Sequence, residues 1–260
     1  SCDAGRRAQL SAALALARRD MRGAEAALAL APAGARTSLL RARLLDARGQ
    51  FAEATTLYLS AAEEPSYRVE AMVWLAEMEL AQGHASEAAP RIEPLLTEYP
   101  NHPDLVPVAV EAQLGLEHAE RAMQLVEPAL AAHPEDVRLL AAKAHVQVAL
   151  EQWEAALATL DSALRIESDD ADLHADRGNA ALHLSRLEVA REAYDAALAL
   201  NASHPVALVG RLELDVEALR VAEARRILDR ADAAELRSLR VERLRSRLLV
   251  AEIAGNSGTR

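Results

Sequence analysis

Cysteine occurs once in the 260 residues, at Cys2, so no disulfide can close within the chain and packing alone must hold the fold. Aromatic residues make up 3% of the chain and phenylalanine occurs once, a supply too thin for a strand-built core. Lysine also occurs once, at Lys143, and every other basic residue is arginine, a bias that points to GC-rich, bacterial coding rather than a physical need for guanidinium. Asp and Glu outnumber Lys and Arg by 40 to 29, leaving a formal charge of −11 that excludes a general nucleic-acid binder. No apolar run is long enough to cross a bilayer. The motifs GxGxxG, HExxH, CxxC, GxSxG and the phosphate loop are all missing, so the expectation is a protein that is not an enzyme and needs no cofactor.

What is present is alanine, more than a fifth of the chain, followed by leucine, glutamate and arginine, all strong helix formers. The alanines are ordered. Ala54, Ala88, Ala122, Ala156, Ala190 and Ala224 follow one another at one unchanging interval. Four residues after each stands a larger apolar side chain: Tyr58, Ile92, Val126, Leu160, Tyr194, Leu228. Three further on come Ala61, Leu95, Ala129, Ala163, Ala197 and Ala231, and twelve before each come Ala42, Ala76, Val110, Ala144, Gly178 and Leu212. Small residues at helix crossings let backbones approach, and the larger residue one turn on fills the gap beside them.

This pattern resembles the tetratricopeptide repeat, a helix–turn–helix unit of about 34 residues. The resemblance implies an all-α, right-handed solenoid of about seven hairpins with a C-terminal capping helix. The units fall near 5–34, 35–68, 69–102, 103–136, 137–170, 171–204 and 205–238, the first around Leu10, Leu14, Ala24 and Leu28. A capping helix follows at 239–254, with Leu244, Leu248, Leu249 and Ile253 apolar; residues 1–4 read as a tether and 255–260 as a flexible tail. Pro103 and Pro205 read as first helical residues, and Ser168-Asp169-Asp170 as a helix start. Pro90, Pro94 and Pro128 fall inside second helices, where they either bend the helix or are tolerated on its outer face.

Polar clusters offer little chemistry. His84 and His118 recur within hairpin turns, and His102 and His204 between units, positions that need no ligand to explain them. His145 and His183 lie on neighbouring first helices and could face one another. As a metal pair they lack a third ligand beyond Asp176 or Asn179, and no metal is expected. Asp169, Asp170, Asp172 and Asp176 lack the spacing of a calcium loop and read as helix caps. Trp74 and Trp153 read as packing residues between helices.

The resemblance also implies that first helices line a concave surface that takes an extended peptide or a partner helix. Carried onto this chain, the groove positions are Arg36, Arg43, Glu70, Glu77, Asp104, Glu111, Arg138, His145, Asp172, Asn179, His183 and Glu213. They are too acidic to grip a C-terminal carboxylate as chaperone-binding members do. The acidic middle, Glu70 to Glu111, suits a basic or mixed-charge segment of another protein; the alternative is charge that simply keeps an alanine-rich array in solution. Arg6, Arg7, Arg18, Arg19 and Arg22 crowd one end, and Arg220, Arg225, Arg226, Arg230 and Arg237 the other. Cys2 after a small residue resembles the processing site of a bacterial lipoprotein, which implies membrane contact only through a lipid on Cys2. Together these imply a non-enzymatic scaffold of the cell envelope, on the periplasmic side of a membrane, aiding assembly of a pilus, secretion or polysaccharide-export complex. The alternative is a cytoplasmic adaptor, or a repeat segment of a larger envelope protein.

Overall fold

The computed structural model describes residues 2–257, with side chains from Asp3 to Ile253. Helices account for the order of elements, and no strand occurs among the described residues. Seven hairpins follow in sequence: α1 (Cys2–Ala17) with α2 (Met21–Leu30), α3 (Ala35–Ala47) with α4 (Phe51–Ala62), α5 (Arg68–Ala81) with α6 (Ala85–Glu98), and α7 (Leu105–Gly115) with α8 (Ala119–Ala132). Then come α9 (Val137–Ala149) with α10 (Trp153–Ile166), α11 (Ala171–His183) with α12 (Leu187–Leu200), and α13 (Pro205–Glu217) with α14 (Val221–Ala233); α15 (Leu239–Ser257) closes the series. Residues 2–4 lie in α1 and 255–257 in α15, so helix replaces most of the tether and half of the tail, while Ser1 and 258–260 lie outside the described residues. The chain divides into two compact units, the first ending at His133 and the second beginning at Pro134.

The periodic residues form the interior of both units. All six alanines from Ala54 to Ala224 are fully buried, as are Ile92, Val126, Leu160 and Tyr194, with Tyr58 and Leu228 at 1% exposure. One expectation is corrected. Leu10 and Leu14 are 54% and 53% exposed, and Ala12 and Leu16 take the core places beside Ala24 and Leu28. The first hairpin is shorter than a full repeat, so Leu10 and Leu14 share the phase of Leu40 and Leu44. Those two are buried on the first hairpin, whereas no described hairpin precedes α1.

A left-handed residue closes every first helix from α3 to α13. Gly49, Gly83, Glu117, Glu151, Ser185 and Leu219 all have positive φ, and they keep the same spacing as the crossing alanines. One residue on, the backbone N–H of Gln50, His84, His118, Gln152, Arg186 and Arg220 donates to the carbonyl five residues back at 2.8–2.9 Å, the bond of a Schellman cap. Glycine meets this requirement freely, and the four other side chains bear a steric penalty. Changing Glu117, Glu151, Ser185 and Leu219 together to glycine is therefore expected to stabilise the chain by about 2 kcal/mol, part of the gain being offset by a looser unfolded state. Urea denaturation of the quadruple variant reads this directly.

Proline placement splits in two. Pro205 opens α13 behind His204, whereas Pro103 sits in a turn two residues ahead of α7, because Asp104 occupies the cap position. Pro90, Pro94 and Pro128 all lie within unbroken helices and are exposed. The carbonyls they leave without a helical donor, on Ser86, Pro90 and Gln124, belong to exposed residues, a setting in which solvent can take the place of the lost bond.

Candidate partner-binding surface

First helices touch one another as well as their own partners. In the N-terminal unit α1 meets α3, α3 meets α5, and α5 meets α7; in the C-terminal unit α11 meets α13, and α13 meets α15. Within either unit, no comparable contact joins two second helices among the described residues. The first helices thus form an inner layer within each unit, and their outward positions are the candidate surface.

In the N-terminal unit, Arg36 and Arg43 on α3, Glu70 and Glu77 on α5, and Asp104 at the cap of α7 are exposed, with Glu111 on α7 half-buried. Arg43 lies over the ring of Trp74 at 4.3 Å, a cation–π contact that ties α3 to α5. Trp74 itself is half-buried between the apolar clusters of adjacent hairpins, so it packs and offers a ring face together. The Asp104 side chain makes no capping bond; its backbone N–H donates to His102 Nδ1 at 3.2 Å.

The C-terminal unit carries the same positions on α9, α11 and α13. His145 on α9 pairs through Nε2 with Asp176 of α11 at 2.9 Å. The Asp172 carboxylate meets Nε2 of His204 at 2.8 Å. His204 is 4% exposed and caps α13, its Nδ1 accepting from the Ala207 N–H at 3.2 Å. That bond leaves the ring proton on Nε2, aimed at Asp172. Asn179 accepts from the buried Tyr194 hydroxyl at 2.7 Å. His183 stacks on Trp153 at 3.8 Å, near-parallel. Glu213 is bound by Arg240 of α15. Arg138 is exposed on α9. A guest in this unit therefore meets side chains already bridging neighbouring helices.

Asp170 caps α11 through the N–H groups of Asp172 and Leu173, as its neighbourhood implied. Two of the C-terminal arginines are partly neutralised, Arg225 by Glu252 at 2.6 Å and Arg226 by Glu223 at 3.6 Å, while Arg230 donates to the Ala202 carbonyl at 2.8 Å. Among the described residues, no group of three His, Cys, Asp or Glu converges as metal ligands do. The Cys2 side chain lies outside the described residues.

Sequence reasoning missed a set of polar contacts that also obeys the repeat. Glu79 and Arg91 pair within the hairpin α5–α6 at 2.7 Å, and two repeats on Gln147 and Thr159 hydrogen-bond within α9–α10 at 2.8 Å. Burial raises the Glu79 pKa against the opposing pull of Arg91. Arg177 binds Asp161 at 2.7 Å and, one repeat later, Arg211 binds Asp195 at 2.9 Å, each joining a first helix to the preceding second helix. The repeat phase was the signal that could have revealed them.

Helical hairpins with small-residue crossings, left-handed turns and an inner layer of first helices define an all-α tetratricopeptide fold. The sequence profile described as the tetratricopeptide repeat matches residues 79–145 and 113–179. Residues 79–179 therefore match the tetratricopeptide repeat family, the hairpins on either side share its fold, and such repeats fit a protein-interaction scaffold. No curated protein matches the chain by sequence. Among solved structures it is similar to a chain of the APC/C hetero-tetramer Cut9–Hcn1, with 15% identity and a TM-score of 0.74 over 94% of this chain but only 46% of that one. A tetratricopeptide repeat protein from Parabacteroides merdae ATCC 43184 matches at 14% identity and TM-score 0.72, covering 95% of this chain and 99% of that one. Pseudomonas aeruginosa pilF matches at 19% identity and TM-score 0.62, covering 73% and 86%.

Proposed function

We propose that the chain is an assembly scaffold of the bacterial cell envelope, tethered on the periplasmic side by a lipid on Cys2, whose N-terminal unit takes a basic or mixed-charge segment of a partner in a pilus, secretion or export complex. The observation that carries the binding reading is the run of acidic residues over adjacent first helices, Glu70 and Glu77 on α5 and Glu111 on α7, with Asp104 at the cap between them. Such a surface attracts cationic segments and repels anionic ones. Arg43 over Trp74 borders it, which supplies the opposite charge that a mixed segment needs. The fold's use within a named hetero-tetramer supports the role in assembly.

The test is capture from envelope extract by the native chain and by Glu70→Lys/Glu77→Lys, with an extended arginine-rich peptide as a defined probe. The reversed form should bind that peptide about tenfold more weakly at low salt, with the difference shrinking as salt rises. Equal capture and equal peptide affinity would remove this surface from consideration. For the tether, Cys2→Ser in the intact precursor should move the protein from the membrane to the soluble fraction; an unchanged distribution rules the lipid out.

A further inference from the structure

Three neighbouring first helices of the N-terminal unit present faces of one design. Arg36, Leu39 and Arg43 share a face of α3, and Glu70, Val73 and Glu77 share the same face of α5. Asp104, at the cap of α7, with Pro107 and Glu111 repeats it. The middle residue of each set is buried, whereas its charged flanks are exposed, Glu111 only half so. Two charged rows therefore cross the helices on either side of an apolar floor. Along each helix the rows stand seven residues apart, about 10 Å. Both rows read positive on α3, negative on α5 and negative at α7.

That spacing selects the shape of a guest. An α-helix with its side chains is about 10–12 Å across, as wide as the gap before the arginine and glutamate side chains narrow it. A β-strand returns to one face every second residue, about 6.6 Å, whereas packed helices stand about 8–10 Å apart. A polyproline II segment returns every third residue, about 9 Å, and so meets each successive helix in the same way. Its three-fold symmetry aims two side chains of each turn at the two rows and the third at solvent. Glu77, Asp104 and Glu111 already interact within the chain, but a carboxylate accepts several hydrogen bonds and can take a guest cation beside its present partner.

We propose, resting on the binding reading given for the N-terminal unit, that the occupant is a polyproline II segment with paired charges at a three-residue period. An acidic pair lies over Arg36 and Arg43, one basic pair over Glu70 and Glu77, and a second basic pair over Asp104 and Glu111. The pattern goes beyond net charge, because it fixes both the period and the order of the pairs. A segment whose acidic pair stands between the basic ones sets like charges against each other in either chain direction.

The probes are four labelled nonapeptides of one composition, capped at both ends. EEPRRPRRP and RRPRRPEEP offer the pattern in the two chain directions, RRPEEPRRP alters the order of the pairs, and EEPPRRRRP breaks the period. At low salt, one of the first two should bind the full chain about tenfold more tightly than RRPEEPRRP or EEPPRRRRP in fluorescence anisotropy. Either Arg36→Glu/Arg43→Glu or Glu70→Lys/Glu77→Lys should bring the favoured peptide level with RRPEEPRRP, since each peptide then meets one opposed pair. If all four bind alike while the longer arginine-rich probe still distinguishes Glu70→Lys/Glu77→Lys, the pattern is wrong and the acidic surface stands. If neither comparison shows a difference, the surface falls with the pattern. Tighter binding of a helical peptide with arginines seven residues apart gives the surface to a helix and likewise overturns the proposal.

Discussion

Replacing Arg211 by methionine is expected to lower the stability of the C-terminal unit by about 3–5 kcal/mol, the largest single-residue effect in the chain. Asp215 is fully buried one turn along α13, with Oδ2 held by the Arg211 guanidinium and Oδ1 without a hydrogen-bond partner. The same guanidinium binds Asp195 of α12. Burial works against the Arg211 charge, yet the two carboxylates outweigh it and hold the group above its usual pKa. Without the arginine, Asp215 must either remain an uncompensated buried anion or take up a proton, and both routes are costly. The double variant Arg211→Met/Asp215→Leu should recover most of the loss, since the phase of Asp215 holds Leu45 and Ala181 in other hairpins. Urea denaturation followed by amide exchange in α12 and α13 measures both. A single variant within about 1 kcal/mol of the parent would show that the triad is not an ionised network.

The fold was legible in the sequence where packing distance dictates residue size. An alanine at every crossing, with a larger residue four positions on, admits few arrangements other than stacked hairpins, and six alanines at identical intervals leave no choice of register. Leu10 and Leu14 were misplaced because they stand at the phase of Leu40 and Leu44, which a preceding hairpin buries, and nothing local to α1 distinguishes a leucine facing its partner from one facing a preceding unit. The surface was less legible, because a phase tells which way a side chain starts and not what it meets. Asp172, Asn179 and Glu213 occupy groove phases, but their partners His204, Tyr194 and Arg240 belong to other helices, well separated along the chain. Side chains with this reach choose among neighbours by local geometry, which periodicity does not encode.

The second large effect lies around Tyr194, and it shows how residue size is balanced between hairpins. Tyr194 is fully buried, with its ring between Gly178 of α11 and Gly210 of α13, where a β-carbon on either glycine would fall inside contact distance of the ring. At the first glycine's phase other hairpins carry Ala42, Ala76, Val110, Ala144 and Leu212, and each except Ala42 faces a smaller partner than tyrosine: Ile92, Val126, Leu160 and Leu228. The two glycines thus compensate for one oversized ring. Gly178→Ala/Gly210→Ala should destabilise the C-terminal unit by about 2–4 kcal/mol, although glycine-to-alanine changes inside helices ordinarily stabilise. Adding Tyr194→Leu should reverse the sign, because leucine fits over alanine as Leu160 does over Ala144, and only the hydroxyl bond to Asn179 is given up. Thermal melts of the parent, double and triple variants decide it: a double variant as stable as the parent would mean that the ring moves aside freely and the glycines have no packing role.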